Sequence, residues 1–127
     1  DLAKEAMLKA YAPYSGYKVG AALLCDDGSV YQGCNIENAA YSPTNCAERT
    51  AVFSAVAAGE RAFVAIAVAG GRADEAASDC TPCGICRQVL AEFMPDGKVI
   101  LDSGEKGMVT YLVRELLPLG FTSKDIR

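Results

Sequence analysis

Histidine is absent from this 127-residue chain. Without imidazole there is no Ser-His-Asp or Cys-His nucleophile system, no His-ligated zinc or haem and no imidazole general base. Chemistry near neutral pH therefore falls to carboxylates, thiols, lysine, tyrosine or a metal. Basic runs are missing too. The twelve Lys and Arg residues are scattered from Lys4 to Arg127, never two together, and the formal net charge is −4. A nucleic-acid binder carries a basic stripe, so no nucleic-acid partner is expected. No apolar stretch approaches the roughly 18 residues of a membrane span, so no membrane partner is expected either. The opening DLAKEAMLKA lacks both a signal-peptide pattern and an initiator Met, and we expect a few residues to precede Asp1.

Cysteine, by contrast, is plentiful: the chain has six. In the absence of a secretory signal they point to metal or redox chemistry rather than a disulfide framework. The length implies one domain, residues 1–127, and a hydrophobic content of 51% implies a globular one.

Periodicity supplies the elements. Leu2, Ala3, Ala6, Met7 and Ala10 share one side of a helix expected to end near Tyr11, before Pro13. Tyr17 to Cys25 alternates as a strand, Asp26-Asp27-Gly28-Ser29 reads as a hairpin turn, and Val30 to Asn35 as the return strand. Thr44 and Asn45 offer capping oxygens for a helix from Cys46 to about Ala58, which is apolar nearly all round and so expected to be buried. Phe63 to Ala69 has the continuous apolar pattern of a central strand, followed by a polar loop from Gly70 to Asp79. Thr81-Pro82 reads as the start of a helix running to about Met94. Val99–Leu101 and Met108–Leu112 complete the strands, with a helical turn over Val113–Leu117. The expected fold is an α/β three-layer α-β-α sandwich around a mixed five-stranded sheet.

Four residues concentrate the chemistry: Cys46, Glu48, Cys83 and Cys86. The i, i+3 spacing of Cys83 and Cys86 places both sulfurs on one helix face, continued by Leu90, Phe93 and Met94, so both are expected to look into the core. Cys46 opens the other long helix. Helix N-termini favour negative charge and lower thiol pKa values. A Zn²⁺ ion between the two ends would take three thiolates and keep one position open, the arrangement of a catalytic site. Glu48 could lean over that position and move a proton between water and a substrate nitrogen. Three thiolates on Zn²⁺ leave an excess negative charge, which Arg49 or Arg87 could offset. An ordinary helix-surface salt bridge is the alternative for each.

Cys46-Ala47-Glu48 followed by Pro82-Cys83-Gly84-Ile85-Cys86 resembles the C-A-E…P-C-x-x-C signature of the zinc nucleoside deaminases. More narrowly, the chain is similar to the small homotetrameric cytidine deaminases from Tyr11-Ala-Pro-Tyr-Ser15 through Leu116-Leu117-Pro118 and Phe121. The resemblance implies hydrolysis of cytidine and deoxycytidine to uridine and deoxyuridine with release of ammonia, in cytoplasmic pyrimidine salvage. It implies one zinc ion per chain and a homotetramer with sites at subunit interfaces. It also implies that Asn35 and Glu37 hold the ribose, that Tyr17 walls the pyrimidine, and that the backbone of Ala47 touches the base amide. Tyr41 and Phe121 would reach into a neighbouring site. Phenylalanine is commoner at the position of Tyr17, so its hydroxyl is a departure.

Three rivals use Cys80-Thr-Pro-Cys83-Gly-Ile-Cys86. A ferredoxin-type cluster needs a further Cys-Pro where the chain has Leu90-Ala91, so that reading fails. A thioredoxin-like dithiol leaves Cys46 and Glu48 without a purpose. A closed structural zinc would take Cys80 as fourth ligand; Cys80 is instead expected to be a bystander, with Cys25 and Cys34 as small buried hydrophobes. Among deaminases, a blasticidin-type substrate is the alternative, disfavoured by the Asn35-x-Glu37 pair.

Overall fold

The computed structural model describes residues 2–72, 80–102 and 107–126. Its centre is a five-stranded sheet built from β1 (Tyr17–Cys25), β2 (Val30–Cys34), β3 (Phe63–Arg72), β4 (Lys98–Asp102) and β5 (Met108–Leu112). The order is β2-β1-β3-β4-β5. β3 and β4 are parallel, and every other neighbouring pair is antiparallel, so the sheet is mixed as expected. The apolar β3 lies centrally between β1 and β4.

Helix α1 is Leu2–Met7, α2 is Ala47–Ala57, α3 is Gly84–Phe93 and α4 is Val113–Leu116; a 3₁₀ turn spans Ser123–Ile126. Glycines let two helices approach the sheet. A Cβ on Gly33 would stand 2.4 Å from the Ala51 nitrogen and 2.5 Å from the Ala47 oxygen, which puts α2 against β2. A Cβ on Gly20 would stand 2.0 Å from the Ala3 oxygen, which puts α1 against β1. Side chains alternate across a strand, and Ala21 is the residue paired with Gly33, so Gly20 and Gly33 lie on opposite faces. The sheet is thus covered on both sides. The α2 side holds the core, with Leu23, Val52, Ile66, Val68, Leu90, Val99, Leu101 and Val113 fully or almost fully buried. The other side is thinner. There Lys4 of α1 bridges to Asp102 of β4 at 3.0 Å, while Leu24 and Met108 remain exposed.

Several boundaries differ from expectation. The α-helical part of α1 stops at Met7, and tighter i→i−3 bonds carry the chain on to Ala10. The expected loop from Gly70 begins instead as the end of β3, and its residues 73–79 lie outside the described residues. Helix α2 buries one side only: Ala47, Glu48, Ala51, Val52 and Ala55 face the sheet while Phe53 is exposed. The small alanines serve close approach to Gly33, and the bulky residue stands on the far side.

Helix starts shift most. Thr44 and Asn45 do not cap α2, since the Thr44 hydroxyl accepts from the Asn38 N–H and the Asn45 amide donates to Thr50. Cys46 occupies the N-cap position in extended geometry. Likewise Thr81-Pro82 precede α3 without starting it: Cys83 is the N-cap, and buried Pro82 belongs to the extended approach.

Candidate metal centre and catalytic site

Cys46 and Cys83 are both N-cap residues, and neither side chain caps its own helix. Each sulfur is therefore free to face the other helix end, where unpaired backbone N–H groups and the helix dipole favour negative charge. The Cys46 and Cys83 sulfurs lie 3.7 Å apart, and those of Cys83 and Cys86 3.5 Å. All three lie within 4.8 Å of one another. With Zn–S bonds of about 2.3 Å, a tetrahedral site has S···S edges of about 3.8 Å, so the separations fit one zinc ion. They are far longer than the roughly 2.05 Å of a disulfide, and all six cysteines are free thiols. Cys80 is outside the group. Three thiols make an open site, with one position left for water or substrate.

Burial differs across the three. Cys86 is fully buried in front of Leu90, Cys46 is half-buried, and Cys83 is exposed, contrary to the expectation that the CxxC pair faces the core. An N-cap residue sits at the mouth of its helix, whereas Cys86 lies inside the first turn. The Cys46 thiol is pulled down to about 5, first by its hydrogen bond with Cys86, with help from Arg49. The same interaction pushes Cys86 upward.

Arg49 donates from Nη2 to the Cys46 sulfur at 3.3 Å, placing its cation on the thiol cluster. Among the described residues Arg87 makes no ion pair. Its Nε donates to the Pro82 oxygen at 2.8 Å and its Nη1 to the Leu116 oxygen at 2.9 Å. It pins the approach to α3 against the C-terminal segment.

Glu48 is only 4% exposed. Burial pushes its carboxyl up to about 7, with the Cys46 charge adding to the rise. It lines a cavity of about 170 Å³ together with Val19, Asn35, Ala47 and the Cys46 and Cys83 thiols. A larger cavity of about 340 Å³ is lined by Tyr14, Ser15, Glu37, Asn38, Tyr41 and Thr44. Thr44 lines both spaces, one at the thiols and the other at Glu37.

Asn35 and Glu37 are tied into the protein as well as facing these spaces. Asn35 accepts from the Val19 N–H and donates to the Tyr17 oxygen, both at 2.9 Å. Glu37 accepts from the Tyr14 and Ser15 N–H groups and from the Ser15 hydroxyl. One amide hydrogen and one lone pair remain on Asn35, and one carboxylate position on Glu37. Tyr41 is 83% exposed at the outer cavity, and exposed Phe121 lines neither cavity. Its backbone is clasped by Gln88, which donates to the Phe121 oxygen at 2.7 Å and accepts from its N–H. The Tyr17 ring lies beside Gly70 and Cys80, and of these Cys80 lines the cavity. Sequence reasoning did not assign Val19, Thr44, Asn45, Thr81 or Cys80 to the site. The run of three cysteines was a usable signal for Cys80; the other four carry none. Cys34, expected to be buried, is only half so and borders a separate cavity with Lys9.

Residues 1–102 match the family model for the cytidine and deoxycytidylate deaminase zinc-binding region. The chain is 48% identical to a cytidine deaminase of Sporosarcina psychrophila over 124 residues, covering 97% of this chain and 88% of that protein. It is 50% identical over 118 residues to one of Halalkalibacterium halodurans, covering 92% and 86% respectively. The crystal structure of cytidine deaminase from Burkholderia pseudomallei superposes with a TM-score of 0.86 at 50% identity, covering 94% of each chain.

Proposed function

Because this chain belongs to the cytidine and deoxycytidylate deaminase zinc-binding family, we propose that it hydrolyses cytidine and deoxycytidine to uridine and deoxyuridine, releasing ammonia. It is a hydrolase, and the observation that carries the reading is the three-thiol cluster at zinc-fitting separations beside a buried carboxyl. Residues 1–127 act as one deaminase domain.

Cys46, Cys83 and Cys86 hold one Zn²⁺ per chain, which when bound supplies Lewis-acid activation of a water molecule. Arg49 offsets the charge of the three thiolates. Glu48 takes a proton from the attacking water and delivers it to ring N3 as the C4–O bond forms. It then moves the second proton to the exocyclic nitrogen, the C4–N bond breaks, and ammonia leaves. A carboxyl pushed up to about 7 suits this double duty, because it both accepts and releases a proton near neutral pH. The Ala47 backbone faces the base amide, and Tyr17 backs the pyrimidine. The spare hydrogen-bonding positions of Asn35 and Glu37 take the ribose hydroxyl. The two cavities that share Thr44 support this placement, since a nucleoside with its base at the thiols reaches toward Glu37 with its sugar.

We further propose a homotetramer in which exposed Tyr41 and Phe121 complete neighbouring sites, and in which exposed Phe53, Leu24 and Met108 become covered. The described residues contain no helix long and apolar enough to cross a membrane. A role in pyrimidine salvage in the cytoplasm is the corresponding proposal. The test is ultraviolet-monitored deamination of cytidine with zinc measured on the same sample. Turnover with one zinc per chain is expected. One zinc per chain without turnover of cytidine or deoxycytidine would overturn the substrate assignment.

A further inference from the structure

Cys80 is the one cysteine of the cavity that stands outside the metal-capable group. Its placement is tightly specified. A Cβ on Gly70 would lie 2.9 Å from the Cys80 sulfur, 3.2 Å from its Cβ and 3.0 Å from Cε1 of Tyr17. Gly70 is therefore the floor on which the Cys80 side chain and the Tyr17 ring both rest, and any larger residue there would displace them. Behind it, Cys80 packs on the hydrophobic core. In front, it lines the same cavity as Glu48, Cys46 and Cys83 and feels the charges of the first two. It thus belongs to the metal end of that space.

We propose that Cys80, seated between Gly70 and Tyr17, is a specificity-determining wall that limits which substituents at C5 of a cytosine ring the enzyme accepts. This rests on the deaminase reading above. A ring whose C4 faces the thiols presents two flanks at that end, N3 and C5. Glu48 takes the N3 flank, which leaves C5 to the remaining wall. One methyl group gained or lost in an apolar pocket shifts discrimination by about 10–200-fold, so small changes at Cys80 are readable.

The experiment compares kcat/KM for cytidine and 5-methylcytidine in the zinc-loaded wild type and in Cys80→Ala, Cys80→Val and Gly70→Ala. Cys80→Ala is expected to raise the ratio of 5-methylcytidine to cytidine at least about tenfold. Cys80→Val, which enlarges the wall, and Gly70→Ala, which pushes it inward, are expected to lower the ratio, with zinc content at the wild-type level in all three. The bidirectional design keeps the test decisive if one variant fails to fold. Wild-type cytidine turnover with the same ratio in every folded variant overturns the role of Cys80 and leaves the deaminase reading standing. A zinc-loaded wild type inactive on cytidine overturns the reading itself, and this inference with it.

Discussion

The Arg49 guanidinium rests on the Cys46 sulfur at 3.3 Å, one helical turn along the same helix. A side chain at i+3 reaches back over the helix start, so the cation arrives at the thiol that is pulled down. Arg49→Gln is expected to weaken zinc binding or turnover by about 10–100-fold, the usual effect of losing a group that supports a metal ligand. Competition with a zinc chelator, run beside the activity assay, separates the two effects. An unchanged chelator profile with unchanged rate would remove Arg49 from the site.

Glu48→Gln preserves side-chain volume and removes the titrating group. It is expected to keep stoichiometric zinc and to lose at least about 10²–10⁴-fold in kcat, the scale of general acid–base catalysis. Metal analysis and single-turnover rates on one preparation check both halves. Near-wild-type turnover would sink the role of Glu48 as proton carrier.

Gly33 carries α2 on its backbone. With a Cβ 2.4 Å from the Ala51 nitrogen, Gly33→Ala must lift the helix that bears Cys46 and Glu48. Overpacking of this kind costs about 1–3 kcal/mol. The expected result is a lower denaturation midpoint together with reduced zinc affinity. A loss of stability that leaves zinc affinity untouched would show that α2 yields without moving its N-terminus.

The Ser15 hydroxyl, more than its N–H or that of Tyr14, holds the Glu37 carboxyl below its ordinary value of 4.5. Because the folded-state value is depressed, the contribution is present above the unfolded value. It disappears as pH falls through the folded one. Wild type is therefore expected to be more stable than Glu37→Gln at neutral pH, with the gap closing in acid. Denaturation of both proteins between neutral pH and pH 3 measures it; a gap that widens in acid would contradict the assignment.

The parts of this molecule that depend on periodicity were legible in its residues. The strand Tyr17–Cys25 and the central position of Phe63–Ala69 follow from spacing and apolar pattern, whereas the meeting of Cys46 with Cys83 and Cys86 was expected from zinc-ligand chemistry and from the resemblance to the deaminase signature. Helix starts were less so. Thr44 has good capping chemistry, yet its hydroxyl accepts from the Asn38 N–H outside the helix, and Thr81-Pro82 stop short of α3, whose N-cap is Cys83. Arg87 shows the same limit, for nothing local announces that its target is the Leu116 oxygen 29 residues away. Cys80 was readable as a thiol but not as a wall, because its direction depends on a glycine of β3.

The spacing of the three thiols also bears on how the protein is made. Cys83 and Cys86 are three residues apart and form a chelating pair in any conformation near helical, whereas Cys46 lies 37 residues from Cys83 with all of β3 between them. Closing so long a loop carries an entropic penalty that only sheet formation offsets. An ion held by Cys83 and Cys86 alone would gain its third sulfur only where the sheet brings the start of α2 to the start of α3, so metal affinity would depend on the assembled sheet.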